Sequence, residues 1–257
     1  MKYLLIFLFC SINYGQGIVN NPFVVFPTSG DDAIMTLSPL LYLTPASIDP
    51  DVTVDGNALT SPFWEDTSGN GYDATTGGGS FVLNIGTTGR QVEWTASGWM
   101  DIVDTAALDF TPGTDEITLV WRYGDAVNPT GSGYPISKAG GTTAVRTGAY
   151  YGAAATYSAV LVGGTASYPS PSTVVVNGLV VLRISTTSVD MWIDGTQVVT
   201  GGGVGTGVSS GQSWNIGGRT DGGYVVGSGF MMDMIALIPS AISTAEREAI
   251  EAEFQTN

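Results

Sequence analysis

The segment Trp64 to Ala74, WEDTSGNGYDA, is where side chains able to do chemistry are most crowded. Asp66, Ser68, Asn70 and Asp73 gather oxygen donors into one turn, and Asn70 stands between two glycines. A loop that bends so sharply can aim several carbonyls and a carboxylate at one point, as a hard cation such as Ca2+ requires. The ligand spacing and closing Glu of an EF-hand are missing. The same composition also suits a turn closed by its own Asx hydrogen bonds.

Catalytic constellations are scarce. Histidine is absent and Cys10 is the one cysteine. That removes Ser-His-Asp and Cys-His machinery, cysteine-ligated zinc and an internal disulfide framework. Glycosidases need paired carboxylates on one face. Here Glu65, Glu93 and Glu116 are isolated and the other four glutamates lie close together near the C-terminus. Asp190 and Asp194 share one strand, but Asp194 falls in a turn. The expectation is a protein that is not an enzyme.

Aromatic side chains offer a binding chemistry instead. Sugar rings stack on Trp and Tyr while a few polar groups take the hydroxyls. Trp99, Tyr150, Tyr151, Tyr168 and Tyr224 lie in or beside expected loops and are the candidate ligand contacts. Packing at the edge of the core is the competing use of each. Trp121, Trp192 and Trp214 read as core or sheet-face residues.

The elements that must position these groups are strands. In Val174–Val199 the turn dipeptides Asn177-Gly178 and Asp194-Gly195 suit type I′ hairpins. Leu179–Ile184 is apolar on both faces, and Val189, Met191 and Ile193 alternate with a wet face of Asp190, Trp192 and Asp194. Other predicted strands are Leu40–Leu43, Phe81–Leu83, Val92–Trp94, Asp101–Val103, Leu108–Phe110, Glu116–Tyr123, Ser213–Gly217 and Phe230–Ile238. Pro135–Lys138 reads as a short segment, and Ala149–Thr156 with Ser158–Val162 as a hairpin. Ile117, Leu119, Trp121 and Tyr123 share one face. Ser243, with Glu246 three residues on, opens a short C-terminal helix.

The chain has 257 residues, 36 of them glycine, with a net charge of −15 and eight basic residues. That length fits one large all-β domain. The scattered cations cannot displace the counterions of a phosphate backbone, so nucleic acid and anionic membrane surfaces are poor partners. Met1–Gly17, a basic residue followed by a short apolar run, has the layout of a signal peptide. Its alternative use is as a retained apolar strand or anchor. The run is too short to span a bilayer, and no membrane insertion is expected after processing. Residues 18–37 read as a lead-in, and 38–257 as the main domain.

In order and spacing these pieces resemble the laminin-G-like (concanavalin-A-like) domains. The residues that carry the resemblance are Asp66–Ala74, Ala107–Phe110, Ile117–Trp121 and Tyr134–Lys138. Met191–Gly195, Trp214–Gly218, Met232–Ile235 and Ala241–Glu246 complete it. It implies an all-β, two-sheet antiparallel jelly-roll sandwich with a short C-terminal helix, used as an extracellular binding or adhesion module. It also implies a structural calcium held by Asp66, Ser68, Asn70 and Asp233, with Met234 standing where the pattern has a second acid. The function expected is a secreted or cell-surface, non-catalytic module whose partner is a glycan or a surface protein. The alternative is a structural or decoration protein of a bacteriophage virion, on the capsid or tail surface, where an oligomer would be natural.

Overall fold

The computed structural model describes residues 33–87, 89–125, 133–138, 147–151, 157–168, 178–207, 211–219 and 224–254, the side chains of Thr76, Tyr151, Tyr157 and Ser158 excepted. By internal contacts Asp31–Asn257 is set apart from the residues before it as one compact unit. The described residues belong to it. The expected signal peptide, most of the lead-in and Asn177 lie outside them.

Alternating apolar residues bounded by glycine-rich turns produce strands throughout. They are β1 (Leu41–Ile48), β2 (Trp64–Asp66), β3 (Ala74–Gly78), β4 (Phe81–Gly86), β5 (Gly89–Trp94), β6 (Trp99–Ile102), β7 (Ile117–Tyr123) and β8 (Ile136–Lys138). The chain continues through β9 (Thr147–Tyr151), β10 (Tyr157–Val162), β11 (Thr165–Ser167), β12 (Leu179–Ile184), β13 (Val189–Ile193), β14 (Thr196–Gly202), β15 (Trp214–Ile216) and β16 (Phe230–Ile238). One helix, α1 (Thr244–Phe254), follows. Leu108–Phe110, predicted as a strand, is instead the end of a 3-10 turn over Ala106–Leu108 and the residues after it. Asp194 and Gly195 both take positive φ, 47° and 75°, as the predicted type I′ hairpin between β13 and β14 requires.

The chain is mostly β and antiparallel, with one short C-terminal helix. Its strands form one continuous hydrogen-bonded path, β11-β10-β9-β8-β15-β6-β3-β2-β1-β16-β7-β12-β13-β14, with the β4–β5 hairpin joined to β16. The path curls until its ends meet, where the Gly203 backbone N–H donates to Ser167 Oγ at 3.0 Å. The result is a nearly closed, barrel-like sheet.

Inside it lies the main core. Ile117, Leu119, Trp121 and Tyr123 face inward as their spacing predicts, with Val180, Leu182, Ile184, Met191, Trp214 and Leu237. Phe63, Phe81, Trp94, Phe230 and Tyr123 form a run of rings in contact, with centroids 5.0, 5.3, 5.0 and 5.7 Å apart. Each such side chain contributes about 1.5–3 kcal/mol by leaving water. A second core lies on the outer face of β1, β16, β7, β12 and β13, where Tyr42, Val120, Val181, Trp192 and Ala236 pack against Ile34, Ile242 and Ile250.

That outer core corrects one expectation. The face of Asp190 and Trp192, predicted to be wet, is covered. Trp192 is only 7% exposed, with the Arg183 and Arg247 guanidiniums 5.0 and 4.9 Å from its ring centroid. Asp190 is paired with Arg183 at 2.9 Å. Local alternation cannot foresee that a helix formed later in the chain lies on this face.

Candidate functional site

The sheet has one outer face that α1 does not cover. Register aligns Thr75, Asp101, Asn215, Ser137, Gly148 and Leu161 across β3, β6, β15, β8, β9 and β10. Residues paired across a ladder point the same way, and those two apart on a strand share a face. Trp99 and Tyr150 therefore stand on this same face, on strands three spacings apart, roughly 14 Å at ~4.8 Å per spacing. Trp214, Ile216, Met100 and Ala149 on the same strands point into the core.

At the β8–β10 end, Tyr134, Tyr150, Leu161 and Tyr224 line a cavity of about 200 Å³. Tyr134 and Tyr150 lie 5.3 Å apart, tilted by 52°. Tyr224 stands edge-on to both, with centroids 6.2 and 5.5 Å away. Tyr134 is buried at the base, Tyr150 is half-buried, and Tyr224 forms the lip at 48% exposure. The Arg219 guanidinium sits 4.7 Å from the Tyr224 ring centroid.

Backbone contacts hold this lip in place. Val226 N–H donates to Gly217 O at 2.7 Å, and Gly217 N–H to Pro135 O at 2.9 Å. Gly133 is required because a Cβ there would lie 2.9 Å from both Tyr224 O and Val226 N. Tyr224 takes φ 52°, a left-handed conformation that costs a non-glycine residue about 1 kcal/mol or more. Residues held in such conformations cluster at functional sites.

At the β6 end, Trp99 lies across the glycines of β3, and a Cβ at Gly77 would overlap its indole nitrogen. The Trp99 Nε1–H donates to Asp101 Oδ1 at 3.1 Å, and the Asn215 amide donates to the same oxygen. Burial raises the Asp101 carboxyl above the ordinary Asp value, against the pull of these two hydrogen bonds.

Of the five predicted ligand aromatics, Tyr150 and Tyr224 are thus brought together. Trp99 shares their face at the far end. Tyr168 follows β11 and is 72% exposed, and the Tyr151 side chain lies outside the described residues. Tyr134 and Arg219 complete the cluster and were not singled out as ligand contacts from sequence. Both come from segments distant from Tyr150, so only their turn-rich flanks could have hinted at the assembly.

Of the implied calcium ligands, Asp66, Ser68 and Asn70 lie together in the loop, joined through the Ser68 hydroxyl. Asp66 Oδ1 accepts the backbone N–H groups of Tyr42 and Ser68, both at 2.9 Å. Its Oδ2 accepts Ser68 Oγ–H at 2.8 Å and Tyr72 N–H at 3.0 Å. Those four donors close the loop on itself as an Asx turn. Asn70 Nδ2 donates to Leu40 O at 3.0 Å. Asp233, the fourth implied ligand, is fully buried and pairs with the Arg122 guanidinium at 2.9 Å. Among the described residues no three acidic side chains converge where a metal ion could be held.

No protein-family model matches the chain, and no curated protein sequence matches it. Solved structures do. The chain is similar to the Trypanosoma rangeli sialidase in complex with sialic acid, at 15% identity and a TM-score of 0.53, over 82% of this chain and 32% of that one. It is similar to the binding domain of Paraclostridial Mosquitocidal Protein 1, at 9% identity and a TM-score of 0.53, over 86% and 53%. A third likeness is to the Botulinum neurotoxin serotype D binding domain, at 12% identity and a TM-score of 0.50, over 87% and 52%. The chain thus matches about a third of the sialidase and about half of each toxin domain. The likeness shows a β-sandwich fold shared by an enzyme and by binding domains, and does not single out the laminin-G-like family.

Proposed function

We propose that this protein is a non-catalytic glycan-binding module of jelly-roll type, working outside the cell or on its surface. The observation that carries the reading is the cavity of Tyr134, Tyr150 and Tyr224. It combines a buried aromatic base, an exposed aromatic lip held by backbone hydrogen bonds, and a size suited to one sugar ring. Phenol hydroxyls supply donors and acceptors beside apolar ring faces, the mixture that sugars use. The two toxin binding domains agree with such a use, and the sialidase shows that the same fold also serves an enzyme. The non-catalytic reading is supported by the absence of histidine from the sequence and by the described lining of the cavity, Tyr134, Tyr150, Leu161 and Tyr224, which among the described residues includes no carboxylate.

Glycan-array binding of the whole protein, followed by titration of the best sugar, tests it. Tyr150→Ala and Tyr224→Ala are each expected to weaken binding about tenfold, or ~1.4 kcal/mol. A sugar bound equally well by the double variant would overturn the assignment.

A further inference from the structure

A second cavity, of about 420 Å³, opens at the ends of β1, β7 and β16, away from the tyrosine cluster. It is lined by Leu40, Leu237, Pro239, Ala107 and Ile117 together with Asp109, Asp115 and Glu116. Its wall is apolar, aliphatic residues together with the Phe110 ring, and the charged residues among the described lining are all acidic. The turn that follows β6 is braced to hold them: Thr114 N–H and Asp115 N–H both donate to Thr111 O, and Thr111 N–H donates to Asp115 Oδ2 at 2.8 Å. Asp109 is fixed from behind by Lys138, whose Nζ lies 3.1 Å from Asp109 and 3.3 Å from Asp104. Lys138 is fully buried, so its ammonium anchors the rim without neutralising Asp115 or Glu116.

We infer that this cavity binds an organic cation on an aliphatic stem, of the alkylammonium class. The apolar wall suits the methylene chain, and the rim suits the charge, as complementarity requires. A cationic head that reaches along the rim meets Asp115 and Glu116 in turn. Two sources share this chemistry, a free polyamine and a lysine side chain of a partner polypeptide.

The test is calorimetric titration of the full chain at low ionic strength with spermidine, and separately with an acetylated, amidated tri-lysine peptide. Asp115→Asn with Glu116→Gln removes two rim charges, while the Asn amide oxygen still accepts from Thr111. Asp51→Asn with Glu65→Gln, two exposed positions elsewhere, changes net charge equally. The rim pair is expected to weaken binding about tenfold or more, and the remote pair to leave it within a factor of about two. Ala107→Phe, which adds bulk to the cavity lining without altering charge, is expected to weaken binding. Binding of spermidine alone identifies a free polyamine, and binding of the peptide alone a partner lysine. Equal weakening by both pairs, binding unchanged in Ala107→Phe, or no binding of either probe would overturn the inference.

Discussion

Two aspartates of this chain show how little residue type alone decides. Asp66 accepts from N–H and O–H donors of its own turn and of Tyr42, whereas Asp233 is buried against Arg122. The crowding of oxygen atoms around Asp66 is legible from the sequence. The direction in which the backbone aims its N–H groups is not, since it depends on the path of β1 beside the loop. Nor could the sequence say that Asp233 meets Arg122 across two neighbouring strands. Removing one member of a buried pair leaves the other charge stranded, so Asp233→Ala is expected to cost about 3–5 kcal/mol. Replacing both, Arg122→Met with Asp233→Leu, should recover most of that loss. Urea unfolding of the three variants measures this, and a single-variant cost below about 1 kcal/mol would mean that the pair is not formed.

At the scale of the element, α1 is the part whose start is written most plainly in the sequence. Ser243 N–H donates to Glu246 Oε2 at 2.7 Å, and Glu246 N–H donates back to Ser243 Oγ at 3.3 Å, the predicted capping box. Hydrogen bonds from Ser243 to the carboxylate, from its backbone N–H first and its hydroxyl second, hold the Glu246 carboxyl below its usual 4.5. A carboxyl lowered by folding contributes stability that is present above its unfolded value and lost as pH falls through the folded one. The protection of the α1 amides, exchange taken relative to the intrinsic rate at each pH, should therefore fall below about pH 4.5. In Glu246→Ala this dependence should vanish. Ser243→Ala should cost about 0.5–2 kcal/mol at neutral pH. Acid-insensitive protection in the native protein would count against the box. The cap and the Asp194-Gly195 turn were legible because a few adjacent residues determine each. The docking of the helix on Trp192 was not, because Arg247 reaches it from a separate element, past β14, β15 and β16.

For the whole molecule, the sequence announced strands, their inward faces and antiparallel pairing. It did not announce that they join into one path whose ends meet at Ser167 and Gly203. Alternation reports which face of a strand is buried but not which neighbour it bonds, so two separate sheets and one curled sheet read alike. The tyrosine cavity shares that limit, since Tyr134, Tyr150 and Tyr224 meet only after β9 and β15 have paired on either side of β8. A molecule carrying −15 also repels itself. Raising salt from about 0.01 to 0.15 M shortens screening from about 30 to 8 Å. The melting temperature should then rise by about 2–4 °C, the shift that ~1 kcal/mol produces in a domain of this size. An unchanged melting point would show that the like charges are too dispersed to matter.

The pairing of β1 with β16 has a consequence for biosynthesis. Leu41 lies beside Leu237, so β1 waits for a neighbour translated about 200 residues later. A growing polypeptide on the ribosome must keep Leu41 and Leu43 unpaired on that side until β16 emerges. Folding of this kind is slow and exposed to clumping along the way. A product truncated before Phe230 would lack the central rib on which β1, β5 and β7 all lean.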